Sequence, residues 1–174
     1  MPKPDGSLKA REFVFLCEDQ ILTRLPSDFP APERRVMWTT LQLHFGDERV
    51  HFELQPQMSR GVVEAGLHFE GPAETNDAWV ELLAAHADDI LGELGPAWEL
   101  EEWTASWRRL HRPFPFVRLS AELAHEVAGE VTSAMVALHP LLLEGLERIG
   151  PTPNPAGRTA RTSRRWRQKQ RARP

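Results

Sequence analysis

Residues 36–55 read VMWTTLQLHFGDERVHFELQ, and their alternation decides the fold class. From Val36 to Phe45 the residues alternate, with Met37, Leu41, Leu43 and Phe45 on one face and Trp38, Thr40, Gln42 and His44 on the other. That is the period-2 pattern of a half-buried strand. Gly46-Asp47 suits a two-residue type II′ turn, which wants glycine first. Pairing Phe45 with Glu48 sets Leu43 opposite Val50 and Leu41 opposite Phe52, so one face is apolar on both strands. A slip of one residue would bury His51 and Glu53 instead. The stretch predicts a β-hairpin.

Working outward, residues 61–70 predict a third strand, with Val63, Ala65, Leu67 and Phe69 in phase and Gly71-Pro72 as a stop. Residues 8–25 place Phe13, Leu16, Cys17, Ile21 and Leu25 at helical spacings, ended by Pro26. Thr75 or Asn76 caps a helix over 77–94, whose stripe is Val80, Leu83, Ala87, Ile90, Leu91 and Leu94, ended by Gly95-Pro96. Residues 98–103 and 106–112 read as a second hairpin around Thr104-Ala105, and 112–116, Arg-Pro-Phe-Pro-Phe, as a rigid crossing. Ser120 caps a last helix that kinks or restarts at Pro140 and runs through Leu146. The expectation is an α+β fold: an antiparallel sheet of about five strands with helices covering one face. A single domain is expected over 1–149, with a Pro/Gly linker and a disordered arginine-rich tail over 150–174.

The 174 residues, 41% hydrophobic and 26% charged, suffice for a core that needs no staples. Cys17 is the one cysteine, which excludes an intrachain disulfide and reads as a buried apolar residue. No segment approaches the ~20 apolar residues of a membrane span, and the first six residues lack a signal peptide's apolar stretch. The expected location is the cytoplasm.

The net charge of −4 hides a division. The tail holds Arg158, Arg161, Arg164, Arg165, Arg167, Lys169, Arg171 and Arg173 and no acid. Removing these eight from 21 basic residues leaves 13 against all 25 acids, so the body carries about −12 and the tail +8. Such asymmetry suggests a tail that meets nucleic acid, an anionic membrane surface or an acidic protein face. Trp166, between Arg165 and Arg167, favours nucleic acid, since an indole stacks on any base while guanidiniums contact phosphates. The competing readings are that the tail folds back on its own acidic body, or that it is a neutral product of an arginine-rich coding background.

Phosphate-binding, nucleophile-elbow and zinc-protease signatures are missing: there is no GxGxxG, GxxxxGK, GxSxG or HExxH. Nothing in the sequence implies a cofactor. The polar face of the three strands gathers His44, Arg49, His51, Glu53, Gln55, Glu64 and His68. In the register above Glu53 lies across from Glu64, and His51 and His68 stand on neighbouring rungs. Two carboxylates that close raise one pKa, which suits acid–base chemistry, with Glu53, Glu64 and His51 as catalytic candidates. His51, Glu53, Glu64 and His68 are likewise candidates to hold a divalent metal. The plainer reading is the wet face of an antiparallel sheet. His86, His111, His125 and His139 read as surface or helix-end residues, and Glu99, Glu101 and Glu102 as a solvated face.

The run from Val63 to Phe69, through Asn76 and Leu83 to Ile90–Gly95, then Trp98–Trp103 and Arg109-Leu-His, resembles a small bacterial domain of unknown function. In that family a hairpin carrying a glutamate precedes a helix starting near Asn, a Leu-Gly stop and a tryptophan-containing strand. The resemblance covers roughly the middle 50 residues, and the family often sits behind nuclease-like domains in defence or repair proteins. It implies a nucleic-acid context and carries over no catalytic residue. The sequence thus favours a non-enzymatic binding or accessory protein whose tail contacts nucleic acid or another polyanion. The alternatives are a small metal-assisted hydrolase or nuclease working on the polar sheet face, and an interaction module that dimerises through the C-terminal helix.

Overall fold

The computed structural model describes residues 6–151. The elements run α1 (Ala10–Arg24), β1 (Glu33–Met37), β2 (Thr40–His44), β3 (Val50–Gln57), β4 (Val62–Phe69), α2 (Ala73–Ala85), α3 (Ala87–Leu94), β5 (Glu99–Glu102), β6 (Arg108–Pro115) and α4 (Ala121–Ile149). The six strands form one antiparallel sheet in the order β1-β2-β3-β4-β6-β5. The fold is α+β, with one strand more than the sequence suggests. Residues 152–174, which hold the arginine-rich tail, lie outside the described residues. No helix among the described residues is long and apolar enough to cross a membrane.

The extra strand comes from residues 36–45, which do not form one strand. The chain reverses at Trp38-Thr39, pairing Met37 with Thr40 and Val36 with Leu41. Trp38 takes φ 57°, the left-handed conformation that costs a non-glycine residue roughly 1–2 kcal/mol. The next hairpin also differs from expectation. Leu43 faces Phe52 and Leu41 faces Leu54, a register shifted by two residues, so the apolar faces still coincide. A loop over 45–49 replaces the two-residue turn, closed by Val50 N–H to the Asp47 carbonyl at 3.0 Å and Arg49 N–H to Asp47 Oδ1 at 3.0 Å.

Leu41, Leu43, Phe52, Leu54, Val63, Ala65, Leu67, Phe69, Leu110 and Phe114 share one face and are all buried. Burying each large one fully is worth about 1.5–3 kcal/mol. Over this face lies α4, 29 residues long, packed along α1 and touching α2, α3 and β4. Ser120 Oγ accepts the Leu123 N–H at 3.2 Å at its start, and it runs through Pro140 without ending. The helix expected over 77–94 begins earlier, at Ala73, and breaks at His86 into α2 and α3. Asn76 caps neither helix. Its side chain clamps Gly71 N–H and C=O at 3.0 and 2.9 Å and reaches the Ser106 carbonyl at 2.7 Å.

Residues 112–115 are strand rather than crossing, for Pro113 and Pro115 pair with Glu64 and Val62. β5 covers β6 only from Arg108 to His111. Beyond that the outer side of β6 is an edge, where proline's missing N–H removes no ladder bond.

Trp79 is the largest fully buried side chain among the described residues, stacked on Phe69 at 5.5 Å. A Cβ on Gly145 of α4 would lie 2.0 Å from its ring. Gly145→Ala would gain about 1 kcal/mol of helix propensity, yet the overlap with a rigid indole costs more. The variant is expected to lose about 1–3 kcal/mol net in denaturant unfolding, with partial recovery when combined with Trp79→Phe. A neutral or stabilised Gly145→Ala protein would contradict this packing.

Candidate functional site

The second face of the sheet carries polar residues in register across the strands. One row crosses all six: Glu33, His44, His51, His68, Arg109 and Glu101, each the pairing partner of the next. The row beside it is Arg35, Gln42, Glu53, Gly66, His111 and Glu99. The next includes Gln55, Glu64 and Pro113. The central members of these rows are withdrawn from water, with His51, Glu64, His68, Arg109 and His111 all buried at 1–7% exposure, while the outer ones, Glu33, Arg35, Glu99 and Glu101, are exposed. Every position of β4 is buried.

His51 and His68 therefore stand directly opposite each other rather than on neighbouring rungs, with rings 5.7 Å apart. Glu53 faces Gly66, and Glu64 faces Gln55, so the expected Glu53–Glu64 pair is not formed. The cause is the same two-strand bookkeeping of side chains: Glu64 and Gly66 are adjacent positions on one face of β4, and the register sets glycine against Glu53. A Cβ at Gly66 would lie 2.5 Å from the Leu110 carbonyl and 2.7 Å from His111 Cβ. The close approach of β6 at this point requires glycine.

Two separate networks result. In the first, His51 Nδ1 meets the Glu48 carbonyl at 2.8 Å, and its Nε2 lies 3.4 Å from Glu53 Oε2 and 3.9 Å from Glu70 Oε1. Gln42 donates to Glu53 Oε2 at 2.8 Å, and His68 Nδ1 lies 3.6 Å from Glu70 Oε1. Burial alone pushes the His51 imidazole toward its neutral form. The Glu53 and Glu70 carboxylates and the Glu48 carbonyl outweigh burial and raise its pKa above the ordinary 6.5. Burial likewise opposes the charge on Glu53, yet the hydrogen bond from His51, the nearby His68 and His51 charges and the Gln42 donor lower it to about 2. His51, Glu53, His68 and Glu70 each offer one ligand atom, all within 4.8 Å of one another.

The second network centres on Glu64. His111 Nδ1 lies 3.0 Å from Glu64 Oε2 and its Nε2 3.1 Å from Glu101 Oε2, so the ring bridges two carboxylates. Arg109 bonds Glu101 at 2.7 Å and lies over the Trp103 ring at 4.7 Å, while Arg60 lies 3.5 Å from Glu64 Oε1. His111 is thus a buried strand residue rather than a surface or helix-end one, while Glu101, on the exposed strand β5, reaches it from the solvated rim as expected of that strand. Trp103 also meets the His68 ring edge-on at 5.0 Å and links the two networks.

Three of the four residues singled out as metal ligands, His51, Glu53 and His68, come together, and Glu64 does not. Glu70 takes its place. Alternation could have found it, since Glu70 lies two residues beyond His68 on the same face. Nothing local signals His111 or Arg109, because β6 joins β4 across an intervening pair of helices. Cys17 is buried, and burial raises its thiol pKa to about 12, which leaves it protonated and unreactive. The chain matches no protein-family model, no curated protein and no solved structure.

Burial works to raise the Glu64 pKa, but the His111 hydrogen bond and the charges of Arg109, His111 and Arg60 win and hold it below the ordinary 4.5. A carboxylate depressed in the folded state adds stability above its unfolded pKa, and that stability is lost as pH falls through the folded value. Glu64→Gln is therefore expected to cost about 1–3 kcal/mol at pH 7. The gap between the two proteins should narrow below pH 4.5. Thermal melts from pH 7 to pH 3 measure it, and a constant gap would refute the assignment.

Proposed function

We propose that this chain is a non-enzymatic binding or accessory protein whose acidic body presents a basic C-terminal segment to nucleic acid. The division of charge carries this reading: about −12 on residues 1–157 and +8 on residues 158–174. The segment combines seven arginines and Lys169 with Trp166, a phosphate-neutralising set with one stacking surface. The body supports the non-enzymatic half. Glu53 and Glu64, the two carboxylates that acid–base hydrolysis would pair, are held in separate networks and are each engaged by a histidine. The hydrolase alternative is the weaker one for that reason.

Neutralising eight phosphates would give a salt slope near −7 on duplex DNA. The acidic body competes for the same arginines, so a shallower slope is expected. The full chain should bind duplex DNA or single-stranded RNA in low salt and release it as salt rises, while a chain ending at residue 157 should not bind. Equal binding by both chains, or none by either, would overturn the proposal.

The dimer reading has one observation in its favour. Val136 and Leu143 of α4 are 39% and 51% exposed and lie seven residues apart on one helix face. Sedimentation at a mass near twice 19.8 kDa that reverts to monomer in a Val136→Glu/Leu143→Glu variant would support it; a monomeric parent chain would remove it.

A further inference from the structure

We infer that His51, Glu53, His68 and Glu70 form a binding site for one divalent first-row transition metal ion on the polar face of the sheet. The site is independent of the basic segment and of the nucleic-acid reading.

Geometry comes first. Separations within the group include 3.4 Å (His51 Nε2 to Glu53), 3.9 Å (His51 Nε2 to Glu70) and 3.6 Å (His68 Nδ1 to Glu70). Bonds of about 2.0–2.2 Å to nitrogen and oxygen require ligand atoms roughly 3.3–3.6 Å apart around a tetrahedral ion. These three pairs lie within a few tenths of an ångström of that spacing, and the remaining pairs must close by up to about 1 Å around an ion. All four atoms already lie within 4.8 Å of one another.

A second observation is independent of those distances. His68 is 3% exposed, and its Nδ1 is buried with no hydrogen-bond partner. A buried ring nitrogen in that state carries an uncompensated desolvation cost of about 1–3 kcal/mol. It points at Glu70, into the group. A coordinated ion would satisfy it.

The surroundings are those of a metal site. His51 has its Nδ1 on the Glu48 carbonyl at 2.8 Å, which fixes the ring and turns Nε2 toward the group, where an ion would displace the Gln42 amide that stands 3.1 Å from it. Metal-bound histidines are held in this way by their other nitrogen. Gln42 holds Glu53 at 2.8 Å in the same supporting role. Coordination requires both imidazoles in their neutral form; with them the two carboxylates sum to −2, which a divalent ion balances. Glu70, with its side chain 21% exposed, is the open side by which an ion enters. Mixed imidazole and carboxylate donors select zinc, cobalt, nickel or manganese over magnesium and calcium, which prefer all-oxygen shells.

The test uses the full chain, stripped with chelator and then titrated with Zn²⁺ and Co²⁺, with Mg²⁺ as the comparison ion. One equivalent of Zn²⁺ is expected to bind and raise Tm, Mg²⁺ is expected to do neither, and Co²⁺ is expected to develop visible absorption of a low-coordinate centre. Glu70→Gln, the least buried change, should keep the fold by circular dichroism and lose the Tm shift and the cobalt spectrum. Glu53→Gln and His68→Gln should do the same, whereas His86→Gln and His125→Gln should leave both intact. Bound Co²⁺ should also quench tryptophan emission, and the quenching should shrink in Trp103→Phe, because His68 packs on that ring at 5.0 Å. Absence of stoichiometric binding, or binding that survives Glu70→Gln but falls with His86→Gln or His125→Gln, would overturn the site.

Discussion

Burial of β4 on both faces is the constraint on which the rest of the structure depends. One face, Val63, Ala65, Leu67 and Phe69, is apolar and meets the helices, while the other places Glu64 and His68 out of water as well. Removing one partner of a buried ionic group costs about 3–5 kcal/mol, so Glu64 must be met from the neighbouring strand. His111 and Arg109 of β6 meet it, whereas His68, opposite His51 of β3 and Arg109 of β6, has Glu70 as its acidic neighbour, at 3.6 Å. The identity of the residues on β3 and β6 follows from what β4 carries. Gly66 between them is the gap that keeps the two sets apart.

The helical side solves a different problem with different means. There α4 carries a long row of buried small and apolar residues, Ala124, Ala128 and Ala134 among them, and α1 packs along the helix. Arg34, Arg108 and Arg112 point to this side but reach its margins, where Glu18, Asp77 and Glu130 receive them at 3.0, 3.0 and 2.7 Å. Apolar packing therefore closes the centre of this layer and ion pairs its rim. The opposite face inverts that order, with its ionic groups at the centre.

How much of this is legible in the sequence depends on the range of the interaction that decides each element. The phase of Leu41, Leu43, Phe52 and Leu54 is written locally, so the apolar faces match although the register is two residues from the expected one. Parity survives an even shift; the loop length does not, because Asp47 binds backbone on its own side chain's terms. The reversal at Trp38-Thr39 has no glycine, asparagine or aspartate to announce it, and a tryptophan at positive φ is a conformation that propensity argues against. Three of the four clustered ligand residues follow from alternation on β3 and β4. The Glu64 network could not be read, because its other half lies on β6, which pairs with β4 only after two helices and a hairpin have intervened.

The outer strands carry a further consequence. β1 begins Glu33-Arg34-Arg35 and is five residues long; β5 is Glu99-Leu100-Glu101-Glu102 and exposed throughout. A free strand rim is a template on which another sheet can grow, and short, charged rims suppress that growth. Two β5 rims brought together would set three carboxylates against three. Sheet-to-sheet polymerisation is thus opposed at both borders, by the charge on the rims rather than by anything on the faces.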